Sequence, residues 1–207
     1  AAFLTSRITL GASFMVGALP GGAGKTTVMC ALLNFLHPET EIVAATPEAM
    51  NTADTSSKCY VCHEIGAGNF FAYLWDNDLR TYCRLIEQGH QLATNLHAND
   101  LPQARAQLVD KNGVAPELFT RFELMIFLRV SNDFMGPSRR VEKAYLSDGV
   151  SPHTLIYKHQ QGLDLAICAQ EDPWRTQCRA FLETEYRRGT RTIEDVRQRF
   201  VEFVNAL

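Results

Sequence analysis

Short apolar runs separated by amphipathic or polar stretches recur along most of the chain. Phe14-Met15-Val16 reads as a short buried strand, followed by a glycine loop and an amphipathic helix that starts near Lys25 and is stopped by His37 and Pro38. Glu41–Thr46 (EIVAAT) reads as a second strand, and the small, polar segment Asn51–Lys58 as a loop. Cys59–Ile65 is a third strand, turned by Gly66-Ala67-Gly68. Asn69 is placed to cap a long helix through about Gln88, with Phe71, Leu74, Leu79, Tyr82 and Leu85 on its inner side and Gly89 at its end. Gln91–His97 is a fourth strand, after which Asn99 or Asp100 caps a helix through Val109 with Pro102 in its first turn. A short helix, Pro116–Arg121, precedes the strongly apolar strand Leu124–Val130. Strand and helix in alternation predict an α/β fold, a mostly parallel sheet flanked by helices on both faces.

The pattern changes near residue 139. Arg140–Leu146 and His153–Lys158 read as strands of a β-hairpin joined by Ser-Asp-Gly-Val-Ser-Pro. Pro173–Arg188 and Ile193–Ala206 read as two terminal helices, the second capped by Thr192 with Glu194 and Asp195 in its first turn. The expected organisation is a core over residues 1–138 and a hairpin and two-helix appendage over 139–207, packed on the core.

The segment that joins the first strand to its helix carries the chemistry. In Pro20-Gly21-Gly22-Ala23-Gly24-Lys25-Thr26-Thr27, the backbone N–H groups of Gly21 to Lys25 can ring a phosphate at the positive end of the helix. Lys25 is placed to bridge the β- and γ-phosphates of a nucleotide, and the hydroxyl of Thr26 to hold Mg²⁺. The pattern G-x-x-x-x-G-K-[ST] is met except at its first glycine, where Leu19 stands. Gly17 lies two residues earlier, so the turn is open to starting there, in a longer loop.

Composition narrows the reading. The chain has 207 residues, 46% of them hydrophobic, enough for a full core. A net charge of −3 with scattered Lys and Arg gives no general attraction to nucleic acid, so no direct nucleic-acid contact is expected. The late cluster Arg187, Arg188 and Arg191 suits a helix end. The first 20 residues resemble a signal peptide in outline, but their apolar run feeds into the phosphate loop, which argues against cleavage. No apolar stretch is long enough to span a bilayer. The cytoplasm is the expected compartment.

Six cysteines invite a disulfide or haem reading, and Cys59-Tyr-Val-Cys62-His63 spells the c-type haem attachment pattern. Its residues belong to an apolar, alternating run that reads as a buried strand, and a nucleotide site implies a reducing compartment. No second Cys pair follows at zinc-ligand spacing.

Nucleotide hydrolysis needs a carboxylate to orient water or hold the metal, and a polar group near the γ-phosphate. Glu64 and His97 both stand at C-terminal strand ends, where a doubly wound sheet places its site. Gly89-His90-Gln91-Leu92-Ala93-Thr94-Asn95-Leu96-His97-Ala98-Asn99-Asp100 resembles the histidine box of the type II/type IV secretion and pilus-motor ATPases. Cys62-His63-Glu64-Ile65 resembles that family's atypical Walker B, and the loop from Pro20 to Thr27 its Pro-x-Gly-Ser-Gly-Lys-Thr-Thr. Arg140-Val141 resembles the opening of its C-terminal subdomain. The resemblance covers about residues 13 to 160.

It implies a RecA-like P-loop ATPase that uses ATP and Mg²⁺ and assembles as a homo-oligomeric, usually hexameric, ring. Such a ring serves secretion or pilus machinery from the inner face of a membrane. By position, Gly21, Gly22, Ala23, Gly24, Lys25, Thr26 and Thr27 would bind nucleotide, Thr26 and Glu64 would hold the metal, and Glu64, His97 and Asn95 would serve catalysis, Asn95 as a hydrogen-bonding sensor. His63 replaces the glycine that precedes the family's glutamate, the acidic box is reduced to Thr46-Pro47-Glu48, and the arginine-rich segment before Walker B is missing. The family's arginine-supplying N-terminal domain is also missing, so the expectation is a divergent minimal member or a fragment. A small P-loop kinase, or a nucleotide-dependent regulatory module, are the alternative readings.

Overall fold

The computed structural model describes residues 1–19, 21–54, 56–68, 70–133, 136–164 and 172–207. The elements are α1 (Ala2–Thr9), β1 (Phe14–Gly17), α2 (Lys25–Leu33), β2 (Glu41–Ala44), α3 (Pro47–Asn51), β3 (Lys58–Ile65), β4 (Tyr73–Leu74), α4 (Asp76–Arg84), β5 (Gln91–Leu96), α5 (Leu101–Arg105), α6 (Pro116–Thr120), β6 (Leu124–Asp133), β7 (Gly136–Leu146), β8 (Thr154–Lys158), β9 (Gly162–Leu163), α7 (Pro173–Arg188) and α8 (Ile193–Asn205). One sheet runs β2-β3-β5-β1-β6-β7-β8-β9, with β4 on β3. From β2 to β6 the pairing is parallel; from β6 to β9 it is antiparallel.

Period-two alternation sorts the central strands onto two cores. Phe14 and Val16 of β1, with Leu124, Ile126 and Leu128 of β6, pack under α1 and α2. Met15, Met125 and Phe127 face the other way, onto α3 to α6. The first strand is buried along its whole length for this reason. β5 lies between the strand that feeds the glycine loop and the strand that carries Glu64. All three C-terminal ends therefore open at one edge.

Several expected boundaries move. The long helix from Asn69 is replaced: Asn69 lies outside the described residues, and Tyr73–Leu74 forms β4 instead. His63 N–H donates to the Ala72 carbonyl at 2.8 Å, so this segment spends its hydrogen bonds on β3 before α4 starts at Asp76. Phe71, expected inside, is 74% exposed. Residues 85–88 continue α4 as a 3₁₀ turn, and residues 106–110 continue α5 as a π-helical turn. Two helices escaped the pattern reading: α1, and α3, whose cap is Thr46 accepting from Ala49 N–H. β7 is longer than expected and pairs with β6 before it pairs with β8.

α2 ends at Leu33, short of the expected stop. The carbonyls beyond it find side-chain donors. Thr9 Oγ1 donates to Phe35 O at 2.8 Å, and Arg197 of α8 donates to Asn34 O and Leu36 O at 3.0 and 2.5 Å. Phe200 and Phe181 complete the seal around Phe35 and around each other with edge-to-face contacts.

Candidate functional site

The loop between β1 and α2 begins at Ala18, not at Gly17. Gly17 is the last residue of β1, and a Cβ there would lie 2.7 Å from the Ala98 carbonyl and from the Phe127 ring. Its glycine serves close packing. Gly24, at φ +91°, is the left-handed residue that turns the chain into α2. Leu19, where the consensus has glycine, needs no positive φ. It is fastened from both sides, its N–H donating to Asn99 Oδ1 at 2.9 Å and its carbonyl 3.3 Å from His97 Nδ1. Of the two expected caps of α5, Asp100 accepts from Gln103 N–H, which leaves Asn99 for the loop. That use of Asn99 was not visible in the sequence.

Lys25, Glu64 and His97 meet. Lys25 Nζ stands 3.4 Å from Glu64 Oε2, 3.5 Å from His97 Nδ1 and 3.5 Å from the Ala18 carbonyl. His97 Nε2 is 3.9 Å from Glu64 Oε1. Lys25 and Glu64 are buried, whereas the His97 side chain is half-exposed at the rim. Its ring faces the loop, while Phe70 and Phe71 stand out into solvent. Glu64 Oε1 is buried without a hydrogen-bond partner. A buried carboxylate oxygen left open beside the glycine loop is suited to a water, a cation or a proton.

A β-bulge aims that carboxylate. Cys62 pairs with Thr94 and Ile65 with Leu96, so His63 and Glu64 together oppose Asn95. The extra residue switches the parity of β3: Tyr60, Cys62 and Ile65 all enter the same core, which unbroken alternation forbids. Asn95 is fully buried, and its Nδ2 donates to the His63 carbonyl at 2.9 Å. Asn95 was expected to serve as a hydrogen-bonding sensor. It lines no part of the cavity; its amide acts on the backbone that presents Glu64.

A cavity of about 900 Å³ opens over this cluster. Gly21, Gly22, Ala23, Gly24, Lys25, Thr26 and Thr27 form its floor, and Glu64 and His97 one end. The Thr26 and Thr27 side chains are exposed to it, while Ala23 is buried in the core. Sequence reasoning missed two further walls. His63 and Tyr73, with rings 5.5 Å apart and edge to face, stand beyond Glu64; Leu128, Arg139, Arg140 and Val141 of the β6–β7 arm close the other side.

The haem-like pattern dissolves in the fold. Cys59 and Cys62 are both fully buried and lie in the two cores on opposite faces of the sheet. They cannot reach one group, and burial pushes each thiol up to about 12, at Cys62 against the opposing pull of its hydrogen bond with Thr94.

No protein-family model and no curated protein matches the sequence. Solved structures do match in fold. The VirB11 ATPase from the Brucella suis type IV secretion system, solved in complex with sulphate, superposes with a TM-score of 0.51 at 16% identity, over 70% of this chain and 51% of that one. The Yersinia pseudotuberculosis ATPase DotB superposes with a TM-score of 0.52 at 10% identity, over 97% and 60%. The chain has the fold of the secretion ATPases. It spans about half to three-fifths of the length of those two structures. Within that fold, the glycine loop, the bulged glutamate and the histidine at the end of β5 occupy a single edge of the sheet.

Proposed function

We propose that this chain binds ATP with Mg²⁺ at the phosphate loop and hydrolyses it as a motor-type ATPase, working as a homo-oligomeric ring. The observation that carries the reading is the convergence of Lys25, Glu64 and His97 on the loop, with one Glu64 oxygen buried and unpartnered. Loop amides and the N-terminus of α2 would hold the phosphates, and the Lys25 ammonium would leave Glu64 to bridge the β- and γ-phosphates. The donor set fits Mg²⁺: Thr26 offers an exposed hydroxyl beside the loop, and Glu64 Oε1 is an orphaned hard oxygen. A bound Mg²⁺ would supply charge neutralisation on the phosphate oxygens. Glu64 orients the attacking water and accepts its proton, and His97 hydrogen-bonds at the γ-phosphate end.

The similarity of fold to a type IV secretion ATPase supports service to membrane secretion or pilus machinery. By the same likeness of fold, the proposed place is peripheral, on the cytoplasmic face of the membrane; among the described residues no helix is long and apolar enough to cross one. Residues 1–138 would form the nucleotide core and 139–207 the appendage. Glu64→Gln tests the reading: it keeps ATP bound and lowers turnover at least about 100-fold, because the amide keeps the shape and loses the basic oxygen. Turnover at the wild-type rate would remove Glu64 from the mechanism. Mass photometry with a non-hydrolysable ATP analogue should show a stabilised ring; a strict monomer whose turnover requires an acceptor would make the chain a P-loop kinase.

A further inference from the structure

β6 and β7 run on beyond the parallel sheet. On β6, β1 pairs only with Leu124–Phe127, while the antiparallel ladder between β6 and β7 continues past Val130 with Arg139 and Ser131 with Ser138 as far as Asp133 with Gly136. This arm overhangs the phosphate loop and carries three arginines. Arg129 and Arg140 are paired: both reach Glu142, at 3.8 and 3.0 Å, and Arg140 also donates to Ser131 Oγ. Lys25 is paired with Glu64. Arg139 is different. Its Nε donates to the Gly22 carbonyl at 2.8 Å, its Cδ lies 3.7 Å from where a Cβ on Gly24 would stand, and no described carboxylate lies within ion-pair distance of it.

Those facts describe a guanidinium tied to the rim of a phosphate loop by one nitrogen, with its two terminal nitrogens uncommitted to any described acid. A guanidinium is a planar fork whose remaining N–H groups suit two phosphate oxygens at once. The loop's own carbonyl fixes the side chain, so little rotamer freedom remains to be lost when an anion arrives.

We infer that Arg139 is a phosphate-binding residue of this site, supplied in cis by the β6–β7 arm: its Nε latches the arm to Gly22 while its terminal nitrogens hold an oxygen of a di- or triphosphate chain. The inference rests on the nucleotide reading of the loop and adds a cation that the phosphate-loop motif does not contain. It also gives the arm a part in binding, because the arm and the loop close on the same anion. Arg139→Lys keeps the charge but cannot make the latch and the two-pronged contact together.

The test compares the wild-type chain with Arg139→Ala, Arg139→Lys and, as a charge control outside the cavity, Arg129→Ala. The probes are inorganic pyrophosphate, ATP and adenosine, followed by calorimetry across a salt series. Expected is a loss of about 10- to 100-fold in pyrophosphate and ATP affinity for Arg139→Ala. Adenosine binding stays unchanged, the salt dependence of ATP binding becomes shallower, and millimolar guanidinium restores part of the loss. Arg139→Lys recovers only part of the affinity, and Arg129→Ala none of the loss. Wild-type affinity for both phosphate probes in a folded Arg139→Ala protein overturns the inference and leaves the loop reading standing. A wild-type chain that binds neither probe overturns both.

Discussion

The side chain of Asn95 is bonded to the main chain of His63: its Nδ2 donates to that carbonyl at 2.9 Å, at the point where β3 carries one residue more than β5. A bulge breaks a ladder and frees backbone groups, and Asn95 satisfies one of them from inside the core. The glutamate that follows inherits its direction from this bond.

Asn95→Ala should therefore cost about 1–3 kcal/mol of stability, the penalty for a buried carbonyl left unpaired. Nucleotide affinity should hold, since Asn95 touches no part of the cavity, while turnover falls by about tenfold or more through misplacement of Glu64. Urea titrations and steady-state kinetics on the same protein check both parts; a variant that loses affinity in step with turnover would place Asn95 at the ligand.

Lys25→Ala removes the proposed phosphate contact and also strands Glu64. Both partners are buried, so the single substitution should destabilise the free protein by about 3 kcal/mol as well as abolish ATP binding. Lys25→Ala/Glu64→Ala should recover much of that stability without recovering binding. A double-mutant cycle by chemical denaturation gives the coupling; additive effects would mean that the pair is not formed in solution.

His97→Ala should leave ADP affinity within about twofold and lower ATP turnover by about 100-fold, the range of a positioned polar group acting at the reacting end. Its ring also meets the Leu19 carbonyl, so the loop's leading edge loses a partner. Equal losses for ADP and ATP would reduce His97 to a loop support.

Burial pushes both His153 and His90 below the ordinary histidine range, His153 against the opposing pull of its bond to the Phe122 carbonyl. Each is harder to protonate in the fold than in the unfolded chain. As pH falls through about 6.5 the unfolded chain takes up protons that the folded chain does not, so stability drops until the folded-state values are reached. Denaturation midpoints between pH 7.5 and 5.5 should fall, and His153→Gln, which keeps a donor for Phe122, should flatten the slope.

Much of the core was legible because each central strand is short and apolar with a turn behind it, and because Glu64 and His97 sit at strand ends while Lys25 opens the helix after the glycine loop. What the pattern could not show is what tertiary contacts decide. Tyr73 and Leu74 have helix-compatible neighbours, yet they pair with β3, because the Gly66–Gly68 turn returns the chain to that strand's edge. Asn99 and Asp100 are interchangeable as caps in sequence; only the position of Leu19 assigns one to the loop and the other to α5. Arg139 and Arg140 are adjacent and alike, and alternation along β7 gives one to Gly22 and the other to Glu142. The bulge hides for the same reason: one residue too many in β3 looks like ordinary alternation until the partner strand is known.

Arg197 and the phosphate loop stand at opposite ends of one nine-residue helix, about 14 Å apart along its axis. Arg197 grips the chain just beyond one end of α2, and Lys25 opens the other. A displacement of α8 would therefore have one short helix between it and Lys25. In a machine assembled from such units, that is where a neighbour would need to hold on in order to feel, or to impose, a step at the loop.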